Sequence, residues 1–301
     1  MPDRFPARAL AASAVAMLLP VAAWPGEQGH YSPASWSPRD LISAPAGTKG
    51  VAPYISYYVA DQARTGSGEK IDESDGIDVG ANSWMVTPVF FYAPTLTPLG
   101  ADWAITVVPA YGEASANARL TALAQDITLF DNNNTGWADL YVIPANLSWQ
   151  LSPTWTLSAQ YAFWAPVGEY NSDRADNVGL GYWSQNFRGT ASYFPRGNPS
   201  LLLSASVLYE INSDKDGFDL TPAPHASVEL GASLAVSERF MWGVIAGGIW
   251  ETDNASGSDA AEDGRDRVLN AGTEASYWFV PGKVGAMARI TQEFHARDRF
   301  E

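Results

Sequence analysis

The sequence predicts an all-β protein, an antiparallel transmembrane β-barrel of about 12 strands in full, with eleven strands legible in this chain. Three observations carry that prediction. Apolar and polar residues alternate with period two through almost the whole chain after about residue 50. The connections between the alternating runs are short and long in turn. The first residues read as an export signal.

The run 154–165 shows the alternation. Trp155, Leu157, Ala159, Tyr161, Phe163 and Ala165 share one face; Thr154, Thr156, Ser158, Gln160, Ala162 and Trp164 share the other. A strand reverses its side chain at every residue, so one face is apolar and the opposite face mostly polar. Repeated along the chain, this gives a barrel that is apolar outside and polar inside, the pattern of a bacterial outer-membrane protein.

Residues 1–23 read as a signal peptide: Arg4 and Arg8 are followed by an uncharged apolar stretch, 9–23, ending in the small residues Ala22 and Ala23. That stretch is short for a spanning helix, which needs about 20 apolar residues. Residues 24–50 lack periodicity, carry Pro25, Pro33, Pro38 and Pro45, and read as an extended arm. Residues 51–301 form the barrel, with strands predicted over 51–60, 79–93, 102–112, 139–150, 154–165, 180–194, 201–211, 224–236, 239–250, 267–279 and 283–294.

The connections 94–101, 151–153, 195–200, 237–238 and 280–282 are short and rich in turn formers. Those at 61–78, 113–137, 166–179, 212–221 and 251–266 are long and polar. Short turns face the periplasm in outer-membrane barrels, so the first strand rises from that side and the arm is expected there. Within the second long loop, Leu120, Leu123, Ala124 and Ile127 have helical spacing, and a short helix over 119–130 is expected. Eleven is an odd count where bacterial barrels are even, so a final strand beyond Glu301 is expected to be missing.

Parity assigns the charges within strands. Arg188, Glu210, Glu229, Glu274, Arg289 and Glu293 all fall opposite the lipid face. A basic residue facing lipid at the midplane costs about 2–4 kcal/mol, and far less facing a wet lumen. These six are the candidate lumen lining, either as an internal ion-pair network or as a selective lining, and the two readings are compatible. Trp103, Trp149, Trp155, Tyr193, Phe240 and Tyr277 fall at strand ends beside short turns and read as an interfacial aromatic girdle.

The function classes excluded are several. The net charge is −15 with no cysteine, and cleavage would make the chain more acidic. That argues against nucleic-acid binding. There is no nucleophile elbow, zinc-protease motif or phosphate loop, so no enzyme is expected, and neither is a cofactor or metal. His30, His225 and His295 are scattered; His225 shares a strand face with Glu229 and reads as a structural pair. Asn212, Asp214 and Asp216 begin like a calcium loop, but Ala223 stands at the twelfth position, and the acidic loops 69–78 and 253–266 read as solvated.

Several segments resemble one family in order along the chain. They are Gly29-His30-Tyr31-x-Pro33 with Arg39-Asp40 and Pro45-x-Gly47; Asp139-Leu140-Tyr141-Val142-x-Pro144; Tyr161-x-Phe163-x-Ala165-Pro166-x-Gly168-x-Tyr170; and Asn177-x-Gly179-Leu180-Gly181-x-Trp183. Tyr209-Glu210-Ile211-Asn212, Thr221-Pro222, Tyr277-Trp278-Phe279, Glu293-Phe294 and the closing Asp298-Arg299-Phe300-Glu301 continue the series. Together they resemble the outer-membrane transporter family of the phenol meta-degradation pathway. The resemblance implies an outer-membrane β-barrel for passive uptake of small aromatic or other hydrophobic compounds, and a last strand past the Arg-Phe-Glu segment. The implied partners are outer-membrane lipid and lipopolysaccharide, the outer-membrane assembly machinery and small hydrophobic solutes. The alternative is a structural barrel whose lumen is plugged by side chains and the arm.

Overall fold

The computed structural model describes residues 29–301 apart from 61, 65, 66, 72–76, 123, 124, 175, 261–264, 282, 283, 298 and 301. The signal peptide expected over 1–23 lies outside the described residues, as do the first residues of the arm.

The chain forms the strands β1 (Lys49–Ala60), β2 (Ala63–Arg64), β3 (Lys70–Ile71), β4 (Ile77–Tyr92), β5 (Asp102–Val108), β6 (Tyr111–Ala122), β7 (Gln125–Trp137), β8 (Leu140–Ser152), β9 (Trp155–Ala165), β10 (Ser184–Tyr193), β11 (Leu201–Asn212), β12 (His225–Ala235), β13 (Phe240–Glu251), β14 (Arg267–Val280), β15 (Val284–Arg297) and β16 (Arg299–Phe300). Thirteen of them make one antiparallel sheet. From β8 to β15 each strand pairs with the next one in sequence, the signature of an up-and-down barrel wall.

Thirteen strands amount to eleven passes across the wall. β5 and β6 both pair with β4, at Phe90–Tyr92 and Ile77–Val86, so they are two stretches of one pass interrupted at Pro109 and Ala110. β7 and β8 continue each other likewise, pairing with β6 and β5 respectively. The outermost passes are β1 and β15. Among the described residues no backbone ladder joins them, although Tyr58 of β1 donates a hydrogen bond to Glu293 of β15 at 3.0 Å and β16 pairs with β2.

One expectation is corrected. The segment 113–137 is neither a polar loop nor a helix: β6 and β7 form a long antiparallel hairpin there. Four apolar residues at helical spacing are a weak signal. Here β4 runs on to Ile77 and offers β6 a row of ladder partners from Val86 to Ile77, and backbone groups offered a complete ladder take it.

Exposure is inverted relative to a water-soluble protein. On β9, Trp155, Leu157 and Tyr161 are exposed while Thr156, Ser158 and Gln160 are buried. On β11, Leu203, Val207 and Tyr209 are exposed while Ser204, Ser206 and Glu210 are buried. An apolar outer surface with a polar interior is stable only against lipid. The hairpins at the short-turn end are tight. At 195–200, Arg196 and Gly197 both take positive φ, +56° and +70°, the hand of turn that matches the twist of the flanking strands. No helix among the described residues is long and apolar enough to cross a membrane.

Candidate functional site

The inner face of the wall is a field of hydroxyls, amides and charges. β10 turns Ser184, Asn186, Arg188, Thr190 and Ser192 inward, all buried. All six predicted charges lie on this inner face. Glu210 is 0 % and Arg188 4 % exposed, Glu229 and Glu274 are buried, and Arg289 and Glu293 are half-buried. Burying so many polar groups is costly unless each finds a partner.

The arm supplies many of those partners. It does not stay on the periplasmic side as the sequence suggested; it runs inside the barrel from the long-loop end to the short-turn end before entering β1. Nor is it simply extended. Asp40 N–H donates to Ser37 carbonyl at 3.0 Å and Thr48 N–H to Pro45 carbonyl at 3.1 Å, so it advances by turns. The physical reason is the interior itself, whose inward-facing acceptors are satisfied by a second backbone threaded among them.

The outer end of the arm is fixed by His30. Its backbone N–H donates to Glu210 Oε1 at 3.0 Å, its Nδ1 lies 2.6 Å from Ser184 Oγ, and its Nε2 lies 2.9 Å from Asp139 Oδ2. The imidazole stacks on Trp164 at 5.1 Å and meets Tyr182 edge-on at 4.8 Å. The preceding Gly29 has φ +52°, and a Cβ there would lie 2.4 Å from Glu210 Oε1, so a larger residue would strain the backbone and displace that carboxylate.

The middle of the arm meets the charged belt. Tyr31 Oη donates to Glu229 Oε1 at 2.7 Å, and Ala34 N–H donates to the same oxygen at 2.5 Å. Asn270 donates to Pro33 carbonyl, and Arg289 to the carbonyls of Ala34 and Ser35. Ser37 Oγ donates to Glu274 Oε1 at 2.5 Å. At the inner end, Arg39 donates to Ser233 Oγ at 2.9 Å and to the carbonyls of Pro199 and Ser200, both at 3.1 Å. Ser43 bonds Ser148 and Asn146 of β8, and Thr48 and Ala93 close the way into β1.

Within the wall, Glu274 and Arg289 pair at 2.7 Å, Asn186 donates to Glu210 at 2.8 Å, and Ser206 donates to Glu229 at 3.2 Å. Arg188 stands apart. Its nearest carboxylate oxygen, Glu229 Oε2, is 3.7 Å away, and its guanidinium lies 4.9 Å from the centroid of the Tyr31 ring. Chemically the arrangement offers hydrogen-bond acceptors, one cation over an aromatic face, and an apolar patch of Leu208, Ile249 and Val268 against which Tyr31 packs.

The six predicted girdle aromatics gather at the short-turn end. Trp155 and Tyr193 are paired across β9 and β10 with rings 4.8 Å apart, and Phe240 opposes Tyr277 across β13 and β14. Trp103 donates its indole N–H to Pro144 carbonyl at 2.9 Å and Trp149 to Leu99 carbonyl at 3.1 Å.

Sequence reasoning missed His30, Tyr31, Asp139 and the inward Trp164. Trp164 fell on the polar parity of its strand, where a large aromatic is out of pattern, and that was the available signal. The expected pairing of His225 with Glu229 is corrected. Glu229 holds Tyr31, Ala34 and Ser206, whereas His225 stands opposite Glu210 and Glu251 on the flanking strands, with Nε2 3.9 Å from both Glu251 and Asp266. The i, i+4 spacing gave a shared face but not proximity, because residues four apart in a strand are separated by about 13 Å. At the end of β11, Asn212 donates to Ala223 carbonyl at 2.7 Å and does not converge with Asp214, which accepts a hydrogen bond from Thr221.

Residues 41–301 match the family model described as the MetA-pathway of phenol degradation. No curated protein matches the chain. Among solved structures, the fold is similar to the crystal structure of an outer membrane channel from Pseudomonas putida F1, with TM-score 0.68 and 19 % sequence identity over 88 % of this chain and 94 % of that one.

Proposed function

Because the chain belongs to the family of the MetA-pathway of phenol degradation, we propose that it is an outer-membrane channel for passive uptake of small aromatic or other hydrophobic compounds. The observation that carries this reading is the two-sided wall. Its apolar face suits lipid, and its inner face is a polar belt carrying Arg188, Glu210, Glu229, Glu274, Arg289 and Glu293. The arm inside that belt is held to the wall by non-covalent contacts, hydrogen bonds and ring packing without backbone ladder pairing, so it can shift without breaking the strand pairing of the wall. Solutes diffuse down their gradient, with no reaction step and no cofactor. The test is flux of phenol into liposomes carrying the purified protein, where entry no faster than into empty liposomes rejects the channel.

The course of the arm favours a second reading, a structural barrel with a plugged lumen, since bonds from His30 to Thr48 tie it to the wall along the barrel. Deleting residues 29–44 separates the two. A channel gains flux for phenol selectively over sugars of similar size, whereas a mere plug, once removed, admits both alike.

A further inference from the structure

Tyr31 is a phenol carried into the lumen on a peptide. Its ring is buried against Leu208, Ile249, Val268 and Ala296, its hydroxyl donates to Glu229 at 2.7 Å, and the Arg188 guanidinium covers its face at 4.9 Å. The niche answers each part of the ring: apolar side chains its carbon surface, a carboxylate its hydroxyl, a cation its π face.

We propose that the niche formed by Glu229, Arg188, Leu208, Ile249 and Val268 is a binding site for phenolic solutes, and that Tyr31 occupies it as a built-in stand-in which a solute displaces. The inference rests on the aromatic-uptake reading above and names the substrate class and the residues that recognise it.

Three features support it. A phenol is neutral near pH 7, with an ordinary pKa of about 10, so it can donate to an ionised carboxylate in a charge-assisted bond. A benzoate cannot donate, and it would bring a charge beside Glu229 and Glu210. Toluene would leave Glu229 without the donor that Tyr31 now provides. A site built to bond a hydroxyl discriminates strongly against the analogue that lacks it. Arg188, 4 % exposed, holds Glu229 only in a loose ion pair at 3.7 Å and the Tyr31 ring beneath its guanidinium, with no short hydrogen bond from its guanidinium nitrogens to a described residue. A buried guanidinium left so is under-used by the arm, and an aromatic face is the partner it already holds. Apolar walls with a few convergent polar groups are the general make-up of a small-molecule site.

The experiment measures binding of 4-methylphenol, which is the tyrosine side chain itself, alongside toluene and 4-methylbenzoate, to the full-length protein in detergent. Tyr31→Ala empties the niche. It is expected to bind 4-methylphenol at least about tenfold more tightly than the wild type does, and about tenfold more tightly than it binds either analogue, the ratio that loss of one charge-assisted hydrogen bond gives. Adding Glu229→Gln to Tyr31→Ala is expected to erase most of the preference over toluene. Tyr31→Phe keeps the ring volume and guards against a folding defect; without the hydroxyl its ring is displaced more easily, so both 4-methylphenol and toluene are expected to bind more tightly than to the wild type, by a similar factor. Equal affinity of Tyr31→Ala for 4-methylphenol and toluene, or none above the wild type, overturns the proposal. Liposome flux on the same proteins is read separately. Phenol flux without selective binding sinks the site and leaves the uptake reading, and selective binding without flux does the reverse.

Discussion

Arg289 of β15 and Glu274 of β14 face each other across the ladder, and the guanidinium donates through Nη2 and Nε to one carboxylate oxygen at 2.7 and 3.1 Å. The other oxygen of Glu274 accepts from Ser37, and Arg289 reaches the carbonyls of Ala34 and Ser35. One ion pair therefore ties two strands to the arm. Removing one partner of a mostly buried pair strands the other charge, at a cost of about 3 kcal/mol. Arg289→Ala is expected to lower the temperature at which the folded, fast-migrating gel form is lost. The double change Arg289→Met with Glu274→Leu is expected to recover most of that loss, because it leaves no unpaired charge. Equal damage from both variants would count against the pair.

Asp139 organises the long-loop end. One oxygen accepts from Gly168 N–H at 3.0 Å; the other accepts from Leu180 N–H at 2.7 Å and contacts His30 at 2.9 Å. Bonds to a carboxylate are worth about 1.5–3 kcal/mol each. Asp139→Ala is expected to loosen both the loop 166–183 and the outer end of the arm, seen as faster proteolysis of that loop and higher ion conductance through the barrel. Faster proteolysis with unchanged conductance would show that the arm does not depend on Asp139.

Leu230 sits at the middle of β12, 59 % exposed on the outer face. Leu230→Arg is expected to cost about 2–4 kcal/mol in the membrane, the figure for a basic residue facing lipid at the midplane. Leu230→Ala should be much milder. The measure is the folded fraction after refolding into vesicles, and similar yields for the two would reject the outward assignment of this strand face.

In the loop between β9 and β10, Arg174 donates to Asp176 at 3.0 and 2.6 Å, and this holds the Asp176 carboxyl below its usual range. A folded-state pKa depressed below the unfolded one stabilises above the ordinary carboxylate value of about 4, and that contribution is lost as pH falls through the depressed value. Hydrogen exchange in the loop, corrected for its intrinsic pH dependence, should therefore show constant protection from about pH 5 to 8 and weaken only below about pH 4. In Arg174→Ala the weakening should begin at a higher pH. A transition in the wild-type loop near neutral pH would contradict this.

Much of the wall was legible in the sequence because each strand signals itself locally. The runs 201–211 and 239–250 sit within a residue of β11 and β13, since alternation, turn formers and loop lengths are all short-range. The parity that set Glu210 and Glu229 inward worked for the same reason. The hairpin β6–β7 was not legible, because its strands are specified by the neighbouring β4 and not by their own weak pattern.

The sequence by itself determined the class of fold and which side chains of a strand face outward, because a period of two needs no knowledge of distant residues. Only the tertiary structure decided what fills the barrel. That His30 reaches Asp139, 109 positions away, and Tyr31 reaches Glu229, 198 positions away, follows from curving the sheet around the arm. Closing such long loops leaves no periodic trace in the chain, and the partners are chosen by the geometry of the closed-in space. So alternation placed Glu229 on the inner face, and the fold gave that carboxylate a phenol to hold.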